Sequence, residues 1–182
     1  MTNNVLVTID NSIITELDLK KEIEFIKFIN KSQIDENSEK VRKDIIENLI
    51  DKKIKKIEID NAKIEITDKE IENYTYNYLA SNKINFEILN TFFTSKQIEK
   101  DYLKNIIIIE IGWIKLIRKM YESKININLT EINEEIKKEA INAEDIEKLK
   151  NQKVDLEKSK VLNKFAVTHL EKSKKKYLIK FL

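Results

Sequence analysis

The chain has no cysteine and no proline among its 182 residues, and one each of glycine, histidine and tryptophan (Gly112, His169, Trp113). Each scarcity removes a class of chemistry. Without cysteine there are no disulfides, no thiol nucleophile and no cysteine-bound zinc or iron–sulfur cluster. A single glycine rules out the Gly-rich loops that cradle phosphates and dinucleotides. A single histidine near the end of the chain leaves little imidazole metal chemistry and no arguable Ser–His–Asp order. The absence of proline and the single glycine also argue against a turn-rich β-sandwich. Charge of one sign is missing too. Lys+Arg is 34 and Asp+Glu is 32, a formal net charge of +2, so overall charge does not mark a general polyanion binder.

What is present is a strong bias. Ile, Lys and Asn number 33, 32 and 19 and together fill 84 of 182 positions. An AT-rich coding sequence explains this, so Lys-for-Arg and Ile-for-Leu choices are not read as adaptations. Apolar residues make up 41% and charged residues 36%, a balance that favours a folded, helix-rich protein over a disordered one. The length fits one domain or a two-lobed body with a real core. The most apolar run, Ile106 to Ile117, holds Glu110 and Lys115 and is too short to cross a bilayer. The N-terminus has no apolar h-region, which leaves either a cytosolic protein or a form lacking its leader.

The pattern along the chain is helical apart from its two ends. Val5–Ile9 and Ser12–Ile14 flank the turn pair Asp10–Asn11 and read as a hairpin. Thr15 caps a first helix to Asn30, and a second runs from Ser38 to Asn61. Thr67-Asp68-Lys69-Glu70 is a capping box that opens a third. Asn85 caps a short fourth helix. Thr94-Ser95-Lys96-Gln97 has the form of a second box, which predicts that a long fifth helix starts there and ends near Ser123. Its apolar stripe is wider than that of a surface helix, so it is buried on most sides or lines an apolar groove. Gly112 inside it reflects either close approach of a crossing helix or drift. Thr130 is expected to cap a sixth helix to Ile141. Residues 142–157 are polar and read as a connector, followed by a last helix from Lys158. A lone hairpin is marginal, so Tyr177–Leu182 is predicted to add a third strand and pair the two chain ends. The expected class is mainly α, a multi-helix core with one small sheet.

The candidate chemistry is sparse. Glu131, Glu134, Glu135 and Glu139 share one helix and read as a solvated face, because the His partners of a di-iron bundle are missing. His169 reads as a packed histidine. Lys158 to Leu182 carries eight Lys and one Glu, net +7, while residues 130–147 carry seven acids and two Lys, net −5. The Lys residues interleave with an apolar stripe, so an outer helix face is the default and nucleic-acid binding is not favoured. Tyr74, Tyr76 and Tyr78, then Phe86, Phe92 and Phe93, are the aromatic concentrations. Core packing is one reading. An apolar wall that receives unfolded polypeptide is the other. On the second reading the site residues are Tyr78, Phe86, Leu89, Phe92, Phe93 and Trp113, in a trough between the third, fourth, fifth and last helices.

The ordered elements resemble a known family. Val5 to Leu19, with its Ile-Asp-Asn-x-Ile-Ile-Thr core, looks like the start of the SurA family of periplasmic chaperones. Ile45 to Ile54, with Leu49-Ile50-Asp51, is similar to that family's second helix, and Ile64 to Ile71 to its next helix start. Gln97 to Ile125 looks like its long helix, Ile127 to Ile132 like the opening of the following one, and Phe165 to Leu182 like its closing helix and strand. The likeness covers about residues 1–140 and 160–182. It implies an N-terminal chaperone region (1–141) and a C-terminal helix and strand (158–182) that pack together, with the connector 142–157 where parvulin domains stand in the family. Prolyl isomerase activity is therefore not implied. What is implied is ATP-independent binding of unfolded outer-membrane-protein segments in the periplasm, with no cofactor or metal. A structural adaptor that binds one fixed partner helix is the alternative.

Overall fold

The computed structural model describes residues 4–139 and 143–182. β1 (Val5–Ile9) and β2 (Ser12–Thr15) form the predicted hairpin, closed by an Ile9–Ser12 pair, with Leu6 as a bulge. Asp10 supplies the left-handed turn residue where glycine is usual, at φ 46°. β3 (Ile179–Phe181) pairs antiparallel with β1, so the sheet order is β2-β1-β3. The expected union of the chain ends is thus present, as is the mainly α class. The inner face of β1 carries Val7 and Ile9, both fully buried.

Seven helices are described. α1 (Glu16–Asn30) opens on a capping box. The Thr15 hydroxyl accepts from the Asp18 amide, and the Asp18 carboxylate accepts from the Thr15 amide at 2.8 Å. Ser38 caps α2 (Glu39–Asn61), Thr67 and Glu70 form the predicted box of α3 (Asp68–Ser81), and Asn85 caps α4 (Phe86–Lys96).

The second expected box is not one. Thr94–Lys96 continue α4, and α5 (Tyr102–Tyr121) starts later. Gln97 is the left-handed residue that ends α4, and the Ile98 amide reaches back to the Phe93 carbonyl at 2.9 Å. The same stop recurs at Lys63–Ile64 and Lys83–Ile84, whose isoleucine amides bond the carbonyls of Ile59 and Leu79 at 3.2 and 2.9 Å. With its one glycine inside α5, the chain places Lys63, Lys83 and Gln97 at the positive-φ positions that follow α2, α3 and α4. The buried Ile84 and Ile98 that follow hold that geometry by packing beside the helix they terminate.

α6 (Leu129–Glu139) begins before Thr130, because the Asn128 side chain accepts from the Glu131 amide at 3.3 Å. α7 (Ala143–Lys174) is one helix of 32 residues. The described part of the expected connector 142–157 is its first half. Position 142 lies outside the described residues, as do 140 and 141, where the sixth helix was expected to end.

By internal packing the chain forms two units, Met1–Trp113 with Lys172–Leu182, and Ile114–Glu171, so the division falls within α5 and α7. In the first unit, Phe25 of α1 sits among Phe92, Phe93 and Tyr102, and Phe28 stacks on Phe92 at 4.0 Å. Ile71, Leu79, Leu103, Ile107 and Ile111 complete this core. Gly112 is a close-approach position: a Cβ there would lie 2.9 Å from Ile59 Cδ1 and 3.1 Å from Ile66 Cδ1. In the second unit, Ile132 and Ile136 are buried, and Tyr121 stacks on Phe165 at 4.7 Å. No described helix is long and apolar enough to cross a membrane.

Candidate functional site

The apolar width of α5 has a local cause. At about 100° per residue, Leu103, Ile107 and Ile111 form one stripe, while Tyr102, Ile106 and Ile109 form another, about 130° away. The first stripe is buried in the aromatic core. The second faces a groove of about 680 Å³, bounded by β2, α1 and α2. Its apolar surface also includes Ile13 of β2, 49% exposed, and the half-buried Leu49 of α2.

Charged groups frame this surface. Glu22 of α1, only 3% exposed, accepts from Lys52 Nζ at 2.6 Å with one oxygen and from the Tyr102 hydroxyl at 2.7 Å with the other. Both carboxylate oxygens are thereby satisfied, as a buried charge requires. Burial pushes the Tyr102 hydroxyl far above its ordinary range, and the Glu22 carboxylate beside it adds to the shift, so Tyr102 remains a neutral donor. At the rim Lys21 bonds Glu99 at 2.5 Å, and this hydrogen bond lowers the exposed Glu99 carboxyl. Lys53 lines the groove and makes no ion pair among the described residues. The result is an apolar floor bounded by the buried Glu22 with its Lys52 partner and, at the rim, by the Lys21–Glu99 pair.

The six residues expected to form a trough are divided. Phe86, Leu89 and Phe93 border a second groove, of about 590 Å³, between α3, α4 and α5. In it Phe86 is 56% exposed, while Leu89 and Phe93 are buried. Phe92 is buried against Phe25 and Phe28. Trp113 is buried, with the Lys55 ammonium 5.7 Å from its ring centroid. Tyr78 lines a third, smaller groove with Tyr74 and Ile106, where burial raises its hydroxyl and Glu110 raises it further. Four of the six, Leu89, Phe92, Phe93 and Trp113, are therefore core residues, and only Phe86 presents a broad apolar face.

The sequence reading missed the larger groove because its walls lie far apart in the chain. Ile13, Leu49 and Ile109 meet only after the hairpin is set against α1 and α2. One signal was available: the second stripe of α5.

Other candidates take their expected places. His169 is buried, with Nδ1 2.9 Å from the Tyr121 hydroxyl. Glu131, Glu134 and Glu135 lie exposed on α6, and Lys153 bonds Glu135 at 2.8 Å. Among the described residues no group of acids and histidines is arranged to hold a metal ion. No protein-family model and no curated protein matches this chain.

Proposed function

We propose that this protein is an ATP-independent chaperone that holds segments of unfolded polypeptide in the groove between β2, α1, α2 and α5. One observation carries the reading. Tyr102, Ile106 and Ile109 are presented to a 680 Å³ groove by the same helix that closes the core with its other stripe. Each aliphatic or aromatic client side chain shielded there contributes roughly 1.5–3 kcal/mol at full burial. Two or three such side chains, less the ordering of the client, give weak and reversible capture. The floor is non-directional, which suits varied clients. Following the family likeness, the clients are outer-membrane-protein segments and the compartment is the periplasm. The reading assigns no catalysis, no metal and no cofactor.

The test is suppression of aggregation by near-stoichiometric amounts of the purified chain. Several unrelated unfolded proteins serve as clients. The native chain delays aggregation of all of them, and an Ile13→Glu, Ile109→Glu double variant loses most of that effect while its far-UV circular dichroism is unchanged. Protection of none, or of one only, sinks the reading, and protection of one only favours an adaptor for a single fixed partner.

A further inference from the structure

We infer that the outer edge of β3 is a strand-addition site for an extended polypeptide segment that places an acidic residue opposite Lys180, a surface separate from the groove proposed above. The hydrogen-bond phase of the sheet identifies the free groups. The Asp10 amide donates to the Leu178 carbonyl at 3.1 Å, and the Leu182 amide donates to the Leu6 carbonyl at 3.0 Å. With Thr8 opposite Lys180, the backbone groups of Leu178, Lys180 and Leu182 therefore face β1. Those of Ile179 and Phe181 point the other way, along an edge on which no further strand lies among the described residues. Such a row of donors and acceptors is a template for one kind of occupant, an extended strand.

The side chains specify which strand fits. Phe181 projects on the same face as the buried Val7 and is 65% exposed. With Ile46, Arg42 and Lys43 of α2 it borders an apolar hollow of about 410 Å³. The inward residues of an added strand would extend the sheet's inner face over this hollow. On the outer face Lys180 stands between the exposed Leu178 and Leu182, and makes no ion pair among the described residues. A directly opposite acid is favourable there and a like charge is unfavourable. The same rule disfavours a second copy: a two-fold pairing that uses the whole of β3 sets Lys180 against its own counterpart.

The probes are Ser-Thr-Val-Glu-Val-Thr-Ser and its Lys-centred twin, titrated into the ¹⁵N-labelled full chain. The Ile179 and Phe181 amides should shift while the Lys180 amide, already bonded within the sheet, moves little. The Glu peptide should bind about five- to tenfold more tightly than the Lys peptide, and Lys180→Glu should reverse that order. Methylating one alternate set of peptide amides should abolish binding, and methylating the other set should leave it intact. No shift at millimolar peptide, equal loss with both methylated sets, or an order unchanged by Lys180→Glu overturns the inference. So does a dimer in sedimentation that Lys180→Glu alters. The Ile13→Glu, Ile109→Glu variant should keep strand addition, so failure here and failure of the groove reading are distinguishable.

Discussion

Replacing Gly112 by Ala sets two known effects against each other. In a helix interior Ala is favoured over Gly by about 1 kcal/mol. Against this, the new Cβ would sit 2.9 Å from Ile59 Cδ1, 3.0 Å from Ile59 Cγ2 and 3.1 Å from Ile66 Cδ1. Ile59 cannot give way freely. It is buried in the last turn of α2, and a helical isoleucine is held mostly to one χ1 rotamer. Swinging Cδ1 aside relieves one contact but leaves Cγ2. Overpacking of this kind costs about 1–3 kcal/mol, which exceeds the propensity gain. Gly112→Ala should therefore destabilise the first unit by about 1 kcal/mol, taking the difference of those two ranges. With a urea slope of roughly 1–3 kcal/mol/M, the midpoint falls by about 0.3–1 M. Trp113, the only tryptophan, is buried beside this position, so its fluorescence reports the relevant transition. Ile59→Val removes Cδ1 and by itself costs about 0.5–1.5 kcal/mol. In the Gly112→Ala background it should cost less than alone, or nothing, because it also relieves the contact. A midpoint that rises with Gly112→Ala would mean that the glycine is drift and that close approach has no energetic weight.

Three further outcomes follow from the same structure. Lys63, Lys83 and Gln97 end helices at positive φ, where a residue with a Cβ is strained by about 1–2 kcal/mol. Replacing each by Gly should raise stability by a few tenths to 1 kcal/mol after the entropy of the unfolded glycine is counted, and a fall in the urea midpoint would contradict this. The C-terminal strand should be released by alkali. Burial and the hydrogen bond to Glu58 push Tyr177 up to about 12, above its ordinary value of 10.0, so its contribution is complete below pH 10 and is lost as pH rises toward 12. The acid limb runs the other way. Burial raises Glu58, but hydrogen bonds from Tyr177 and Lys176 outweigh it and lower the carboxyl below 4.5, so this contribution is lost as pH falls through that lowered value. Amide exchange at Thr8 and Asp10, the β1 amides that face β3, read across pH with the intrinsic rate divided out, checks both limbs, and Tyr177→Phe should erase the alkaline one. Finally, Phe92→Asp with Phe93→Asp should abolish cooperative folding, because both rings are buried among Phe25 and Phe28, whereas Phe86→Asp should leave helicity unchanged.

Local signals in the sequence were read correctly where one residue both makes and reports the structure. Thr15, Thr67 and Asn85 cap as their spacing predicts, because a cap is decided within four residues. The pairing of the chain ends was legible because a lone hairpin needs a third strand. Thr94-x-x-Gln97 misled for a physical reason: a box pattern is also compatible with a helix that is ending. At Gln97 the burial of Phe93 and Ile98 decided between them, which is tertiary information. The polar composition of 143–157 suggested a break, but polar residues with good helix propensity continue a helix once Val161 onward anchors it. The site was the least legible part. Aromatic density pointed to Phe92 and Phe93, yet large rings are also what a core uses most. Which apolar residues stay uncovered depends on Ile13 and Leu49 meeting α5, and no local pattern encodes that.

The two stripes of α5 also bear on the proposed holding role, which has no energy source to draw on. A protein that exposes apolar surface risks collapsing onto it, and α5 is kept from rotating into its own groove by contacts on three sides. Leu103, Ile107 and Ile111 hold one side in the aromatic core. Gly112 lets Ile59 and Ile66 press on a second. On the third, the Tyr102 hydroxyl donates to the buried Glu22, which also holds Lys52, at 2.7 Å, so turning the ring away would leave one buried carboxylate oxygen without a partner. The apolar floor is therefore held open by the packing around it, and on the proposed holding role a client would gain shielding there without any part of the core having to unfold. Glu22 is therefore the residue at which the proposed holding role and folding stability can be told apart. Glu22→Gln keeps the shape and a hydrogen bond to Tyr102 but leaves Lys52 without its partner. It should loosen the floor and weaken client capture more than it lowers the melting temperature. Equal losses in both would assign Glu22 to stability alone.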